Sequence, residues 1–218
     1  MIPDPLDAVI FDLDGLLLDT ERMFHRVMFA ACRQIGYEMT DDLHLSMIGG
    51  PRDDNERRLL GQFGADFPLQ AYTDACREAF EAACAQSVPL RPGAERLLRL
   101  LERRSIPRAI ATSSSPDHAH TNLKRAGVAA YFDVIVTRAD VTRGKPHPDT
   151  FLLAAQRLGA APAHCLALED SIHGVRAASA AGMATVMAPD FLQPDADIRG
   201  LCVAVVESLD AVADALEG

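Results

Sequence analysis

The sequence predicts an α/β protein: a doubly wound parallel sheet whose chain is interrupted once by an all-helical insert. Three observations predict this class. Short apolar runs of strand length end abruptly in polar residues, as Ala8 to Phe11 does at Asp12 and Cys165 to Leu168 does at Glu169-Asp170. Beyond residue 89 such runs alternate with helical patterns, and that alternation implies parallel strands with helices on both faces. Between residues 19 and 88 no convincing strand pattern occurs. The expected organisation is therefore a Rossmann-like core made of residues 1–18 and 89–218, with residues 19–88 as the helical insert.

The elements follow in order. Ala8 to Phe11 reads as a buried strand. Asp19 or Thr20 can cap a helix that carries Met23, Phe24, Val27, Met28, Ala31 and Ile35 on one side and ends at Gly36. Helical stretches follow over about 41–48, 52–63 and 69–85, separated by Gly49-Gly50-Pro51 and by a loop from Gly64 to Pro68. Val88-Pro89-Leu90-Arg91-Pro92-Gly93 fixes the return crossing. A helix with Ala94, Leu97, Leu98 and Leu101 leads to a strand over 108–112, then a helix reaching Gly127 and a strand over 132–136. Pro148 opens a helix with Phe151, Leu152, Ala155 and Leu158 facing inward, and Gly159 closes it. A strand over 165–168, an Ala-rich helix to Gly182, strands over 184–187 and 202–206, and a helix from Leu209 complete the chain.

Composition narrows the function. The 218 residues are 49% apolar and 24% charged, enough for a sizeable core and against disorder. A net charge of −10 argues against nucleic acid or an anionic membrane as partner, and requires local cationic help wherever an anion binds. The five cysteines have no C-x-x-C spacing, so free thiols in a reducing cytoplasm are expected rather than a disulfide framework or zinc site. The first residues lack a signal peptide's pattern and no apolar run reaches membrane-spanning length. A cytoplasmic monomer acting on a small molecule is expected.

Four strand ends carry the chemistry. Asp12 and Asp14 follow the first strand with one residue between them, and Gly15 lets the chain turn sharply. Ligands in such sheets bind beyond the carboxyl ends of the strands. Two carboxylates confined so closely need a cation beside them, or one of them keeps its proton. Either outcome suits phosphoryl chemistry, with one carboxylate attacking phosphorus and the other giving a proton to the leaving oxygen. The plain alternative is a solvated turn. Thr112-Ser113-Ser114-Ser115 offers hydroxyls and N–H groups for an anion at a helix start, though a serine before Pro116 is also an ordinary cap. Lys145 sits in Gly144-Lys145-Pro146-His147-Pro148, a stiff loop that holds its ammonium near one place; a surface lysine is the alternative, and His147 reads as an exposed loop residue. Glu169-Asp170 joins Asp12 in an oxygen-rich set suited to Mg²⁺, while Ser171 can cap the helix that follows.

Together these motifs resemble the haloacid dehalogenase superfamily, in its phosphatase and phosphomutase branch with a helical cap. Phe11-Asp12-Leu13-Asp14-Gly15 resembles the first family motif, Ser113 the second, Lys145 in Gly-Lys-Pro-x-Pro-Asp the third, and Glu169-Asp170 the fourth. Asp14 separates the chain from the dehalogenases proper, which lack the second aspartate. The resemblance implies Asp12 as nucleophile, Asp14 as acid and base, and Ser113 and Lys145 as further catalytic groups. It also implies Mg²⁺ held by Asp12, the Asp14 backbone carbonyl, Asp170 and Glu169, the last directly or through water. Ser113 and the backbone at Leu13, Asp14 and Ser114 would hold phosphate oxygens, and Arg52 and Asn55 of the insert would approach the non-reacting part of the substrate. The plain alternative for Arg52 is a solvated helix start.

Within the branch, the stretch from Asp12 to Arg22, Ala111 to Ser114 and Val186 to Asp190 resemble pseudouridine-5′-phosphatase and sugar-phosphate phosphatases. The rival is a β-phosphoglucomutase-type enzyme, which Gly49-Gly50-Pro51-Arg52 resembles. Against the rival, the mutase has a histidine where this chain has Phe24, with His25 one place off. It also has a lysine-asparagine pair where this chain has Pro116-Asp117. A phosphatase of a sugar phosphate or nucleotide-like ester is the expected activity. A non-catalytic phosphoester binder that kept the fold is a third reading, opposed by the presence of both Asp12 and Asp14.

Overall fold

A computed structural model describes residues 2–48, 50 and 52–218. The chain divides into two compact units, one of residues 1–19 and 89–218 and one of residues 20–88. Asp19, grouped by sequence with the insert, belongs to the first unit, where its N–H donates to the Pro89 carbonyl at 2.9 Å.

The first unit is built on six strands: β1 (Ala8–Phe11), β2 (Arg108–Ala111), β3 (Val134–Val136), β4 (Cys165–Glu169), β5 (Ala184–Met187) and β6 (Ala204–Val205). Every pairing is parallel, in the order β3-β2-β1-β4-β5-β6. The connection reverses direction between β1 and β4, so the crevice at their carboxyl ends is the switch point where such sheets bind ligands. β1 and β4 are buried along their whole length, as their unbroken apolar runs require of strands covered on both faces.

The helices of this unit are α5 (Ala94–Arg103), α6 (Pro116–Arg125), α7 (Asp149–Leu158), α8 (Ile172–Ala180), α9 (Ala196–Leu201) and α10 (Leu209–Glu217). Ile10, Ala109, Ala111 and Ala167 of the sheet pack with Phe151, Ala154 and Ala155 of α7 and with Ala177 and Ala178 of α8. Small residues on both sides let these helices lie close to the strands. Ser115, Ser171 and Asp195 each accept a backbone N–H at the start of α6, α8 and α9. Ser171 was expected to cap.

The second unit holds α1 (Thr20–Gln34), α2 (Asp41–Met47), α3 (Arg52–Phe63) and α4 (Leu69–Gln86) around Val27, Met28, Ala31, Leu43, Leu59 and Tyr72. Gly49 and Pro51, part of the predicted break between α2 and α3, lie outside the described residues.

Three local expectations differ from the structure. Phe24 and Leu152, assigned inward, are 38% and 40% exposed, because a 3.6-residue period gives the direction of an apolar face but not its width. Phe24 instead meets Phe80 edge to face at 5.5 Å between ring centroids. The strand expected over 132–136 begins at Val134, after a 3₁₀ turn over Ala129–Tyr131. The last strand has only two residues and is preceded by α9, which the sequence reading missed.

Candidate active site

β1 delivers Asp12 to the switch point. The Asp12 N–H donates to the Leu168 carbonyl of β4 at 2.9 Å, so sheet pairing runs on to the candidate nucleophile itself. The chain then folds back tightly. Leu17 and Leu18 N–H both donate to the Leu13 carbonyl, at 3.1 and 2.9 Å, and Gly15 N–H donates to the Leu18 carbonyl at 2.9 Å. Gly15 adopts φ 84°, which an L side chain resists. Leu13, Leu16, Leu17 and Leu18 are buried beneath the turn. A phosphate contact by Leu13 therefore falls to its backbone N–H.

Lys145 reaches the same place from the loop before α7. Its Nζ donates to Asp12 Oδ1 and to Glu169 Oε1, with the lysine side chain only 5% exposed. The ammonium lies 5.0 Å from the centroid of the buried Phe151 ring. Arg143 braces the loop through two bonds to the Asp149 carboxylate, at 3.2 and 3.1 Å. His147 is exposed, as expected.

Glu169 ends β4 with no exposed surface. Its Oε2 accepts from the N–H groups of Asp170 and Ser171, at 3.1 and 3.2 Å, and from Ser171 Oγ at 3.1 Å. With Lys145 on Oε1, the carboxylate braces both the lysine and the turn that carries Asp170. Gly174 is the floor of this pocket, because a Cβ there would stand 1.8 Å from Glu169 Oε1.

Asp12, Glu169 and Asp170 each present an oxygen, all within 4.8 Å of one another. The Asp12 carboxyl is pushed up to about 8, chiefly by burial, with Lys145 opposing the rise and the charges of Glu169 and Asp14 adding to it. Burial also opposes the charge on Lys145, but Asp12 and Glu169 together outweigh it and hold the ammonium protonated. One cation thus faces more carboxylates than it neutralises. The donor set, all oxygen and anionic in excess, fits a hard divalent cation. Asp12, Glu169 and Asp170 are the residues that could hold it.

Asp14 stands beside this cluster and faces α6. Ser114 Oγ donates to its Oδ2 at 2.6 Å, and His118 Nε2 lies 3.1 Å from its Oδ1. Hydrogen bonding to Asp14 raises the His118 pKa, against burial. Ser114 is anchored in turn, its N–H donating to the buried Thr112 Oγ1 at 3.0 Å and its carbonyl accepting from Arg138 N–H at 3.1 Å. The resemblance implies a phosphate contact through the Ser114 backbone; in the structure the Ser114 N–H donates to Thr112 Oγ1 and its hydroxyl to Asp14. Ser113 is exposed at the carboxyl end of β2.

Similarity to known proteins agrees with this geometry. The model of the haloacid dehalogenase-like hydrolases matches residues 6–182. The chain belongs to that family. It is a hydrolase of the phosphatase kind. It is 32% identical over 178 residues to a phosphorylated carbohydrates phosphatase of Thermotoga maritima, covering 82% of each chain. It is 35% identical over 189 residues to a Drosophila melanogaster protein with a provisional pseudouridine-5′-phosphatase name, covering 83% of this chain and 80% of that one. A crystal structure from Thermotoga maritima with a provisional β-phosphoglucomutase assignment superposes with a TM-score of 0.83 at 29% identity, covering 97% of this chain and 98% of that one.

Two predicted site residues belong to the helical unit. Arg52 is exposed and its Nε donates to Glu56 Oε1 at 2.7 Å. Asn55 Nδ2 donates to the Met47 and Gly50 carbonyls at 2.9 and 3.4 Å, so its amide nitrogen is engaged in holding the loop between α2 and α3. His25, one place from the mutase histidine, lies 3.3 Å from Asp41 Oδ1 and packs edge to face on the buried His44.

Sequence reasoning missed two groups. His118 falls on the first turn of α6, beyond the strand-end motif that carries Ser114. Arg91 is buried, with Nη1 2.9 Å from Asp190 Oδ1 and 3.5 Å from Asp19 Oδ1. It ties the return crossing to the segment after β5. No local pattern signals that second pairing.

Proposed function

We propose that this chain is a Mg²⁺-dependent phosphatase that cleaves small phosphorylated sugars through an aspartyl-phosphate on Asp12. The observation that carries the reading is the convergence of Asp12, Lys145 and Asp170 at adjacent strand ends with Asp14 alongside. The similarity to the phosphorylated carbohydrates phosphatase of Thermotoga maritima supports the substrate class. Five free thiols, four of them buried, suit the reducing cytoplasm in which we place it.

Asp12 attacks phosphorus and the bond from phosphorus to the ester oxygen breaks, while Asp14, protonated, gives its proton to the leaving oxygen. Asp14 then takes a proton from water as the water oxygen bonds to phosphorus, and the bond to Asp12 breaks to release phosphate. Lys145 stays charged beside Asp12 and offsets the phosphoryl oxygens. Asp12, the Asp14 backbone carbonyl and Asp170 would hold Mg²⁺, which supplies further positive charge there when bound. Glu169 keeps Lys145 and Asp170 in place.

The β-phosphoglucomutase reading has the Thermotoga maritima neighbour in its favour. A mutase must turn a bisphosphate around while keeping water from the aspartyl-phosphate. This chain has Phe24 and Pro116-Asp117 where the mutase has its histidine and lysine-asparagine pair. The expected outcome is phosphate release from hexose and pentose monophosphates, abolished by EDTA and by Asp12→Asn. Phosphorus NMR with and without a sugar 1,6-bisphosphate primer tests it. Primer-dependent isomerisation outrunning phosphate release would overturn the phosphatase reading.

A further inference from the structure

We propose that the cleft at the amino ends of β2 and β3 is a binding site for a free α-amino acid with an apolar side chain. The cleft has a volume of about 330 Å³, at the small end of the range for metabolite sites. It opens between Arg108 at the start of β2, Asp133 just before β3, and Leu158 at the end of α7. Asp12 and Ser113 follow the opposite, carboxyl ends of β1 and β2. The cleft is therefore separate from the candidate active site, and the proposal does not rest on the phosphatase reading.

Arg108 makes this more than a surface hollow. It is half-buried, its guanidinium carbon lies 5.4 Å from the centroid of the Tyr131 ring, and its Nη1 donates to the Ile106 carbonyl at 3.2 Å. Its buried Nε has no hydrogen-bond partner, and no carboxylate among the described residues pairs with the guanidinium. Folded proteins pair their buried donors, and a charged one left bare is costly. Ring and carbonyl hold the guanidinium in one place with Nε and Nη2 unfilled among the described residues. That edge of an arginine is the one that grips a carboxylate through two parallel bonds.

The rest of the lining selects the ligand. Glu102 and Asp133 face the same cleft, yet neither forms an ion pair with Arg108. A plain anion meets these two carboxylates in a chain of net charge −10, and a plain cation meets Arg108. A zwitterion satisfies both, with its carboxylate on Arg108 and its ammonium towards Glu102 and Asp133. Ile106, Pro107 and Leu158 supply an apolar wall for its side chain.

The test titrates the full chain with L-leucine and L-valine by calorimetry. Beside them go 4-methylpentanoate and 3-methylbutylamine, which keep the leucine skeleton but lack the ammonium and the carboxylate respectively. We expect saturable binding of the amino acids, with each single-charge analogue weaker by about tenfold or more. Arg108→Met keeps a side chain on Tyr131 without the charge and should weaken L-leucine by about tenfold. Glu102→Gln with Asp133→Asn, both at exposed positions, should weaken it by about threefold and tests the ammonium end even if Arg108→Met fails to fold. Asp12→Asn should leave the affinity unchanged. In NMR of ring-labelled tyrosine, L-leucine should move the Tyr131 signals and spare Tyr37 and Tyr72, the other two tyrosines of the chain. No binding of either amino acid, a single-charge analogue binding as well as L-leucine, or unmoved Tyr131 signals would overturn the proposal. Unchanged affinity in the folded Arg108→Met chain or in the double variant would do the same. Loss of binding in Asp12→Asn would place the amino acid in the catalytic crevice and overturn it too.

Discussion

Gly174→Ala should disable this protein, although local propensity favours it. Gly174 sits in the first turn of α8, where replacing glycine by alanine ordinarily stabilises a helix by about 1 kcal/mol. Here the added Cβ would lie 1.8, 1.9 and 2.1 Å from the Oε1, Cδ and Oε2 atoms of Glu169. Glu169 has no exposed surface, so the carboxylate must leave its present place. It then gives up Lys145 Nζ, the Asp170 and Ser171 N–H groups and Ser171 Oγ. Hydrogen bonds to a charged group contribute about 1.5–3 kcal/mol each, but a displaced carboxylate recovers part of that with other donors. Loss of one partner from a buried ion pair ordinarily destabilises by about 3–5 kcal/mol. Set against the propensity gain, a net loss of about 2–4 kcal/mol follows, together with a fall in kcat of about 100-fold or more as Lys145 and the Asp170 turn shift. Urea unfolding at unchanged m-value measures the first and phosphate release the second. Adding Glu169→Asp, whose shorter side chain withdraws from the new methyl, should return part of the stability in a double-mutant cycle. A Gly174→Ala protein as stable and as active as the wild type would refute the reasoning.

Three further outcomes are expected. Asp14→Asn should lower kcat/KM for sugar phosphates by about 100-fold or more while sparing p-nitrophenyl phosphate, and an equal loss on both would remove Asp14 from the acid's role. Arg91→Met should destabilise by about 3 kcal/mol in denaturant unfolding, since it takes the guanidinium from the buried carboxylate of Asp190, and adding Asp190→Asn should restore part of it; additive losses would mean the pair is not coupled. Asp140 accepts from the Thr137 N–H and hydroxyl and from Arg157, and these bonds, the backbone one foremost, lower its pKa to about 2. A depressed carboxylate pKa contributes stability that is complete above the unfolded value near 4 and is lost as pH falls towards 2. Asp140→Asn should therefore cost about 1–2 kcal/mol at pH 7 and flatten the acid limb of stability between about pH 4 and 2; an unchanged limb would refute the assignment.

By itself the sequence determined the class of fold, the places where strands end, and the candidate residues for the chemistry. Those features are local. An apolar run that stops at Asp12 or Glu169 is a strand end wherever the strand lies in the sheet, and Gly15, Ser171 and Gly159 act on their own stretch of backbone. A family resemblance spread over four such strand ends then identified the chemistry, because each end carries its own motif. Tertiary structure alone decided which groups meet. Lys145 is 133 residues from Asp12 in sequence and His118 is 104 from Asp14, separations across which no periodicity carries information. The same limit hid the Arg91–Asp190 pair, the dependence of Glu169 on a bare Gly174, and the bond from the Ser114 hydroxyl to Asp14. It also misjudged Phe24 and Leu152, whose spacing suits a buried face while their exposure depends on how far the neighbouring elements extend. Side-chain partners are set by packing between elements remote in the chain, and only the assembled sheet and its helices bring them within hydrogen-bonding distance.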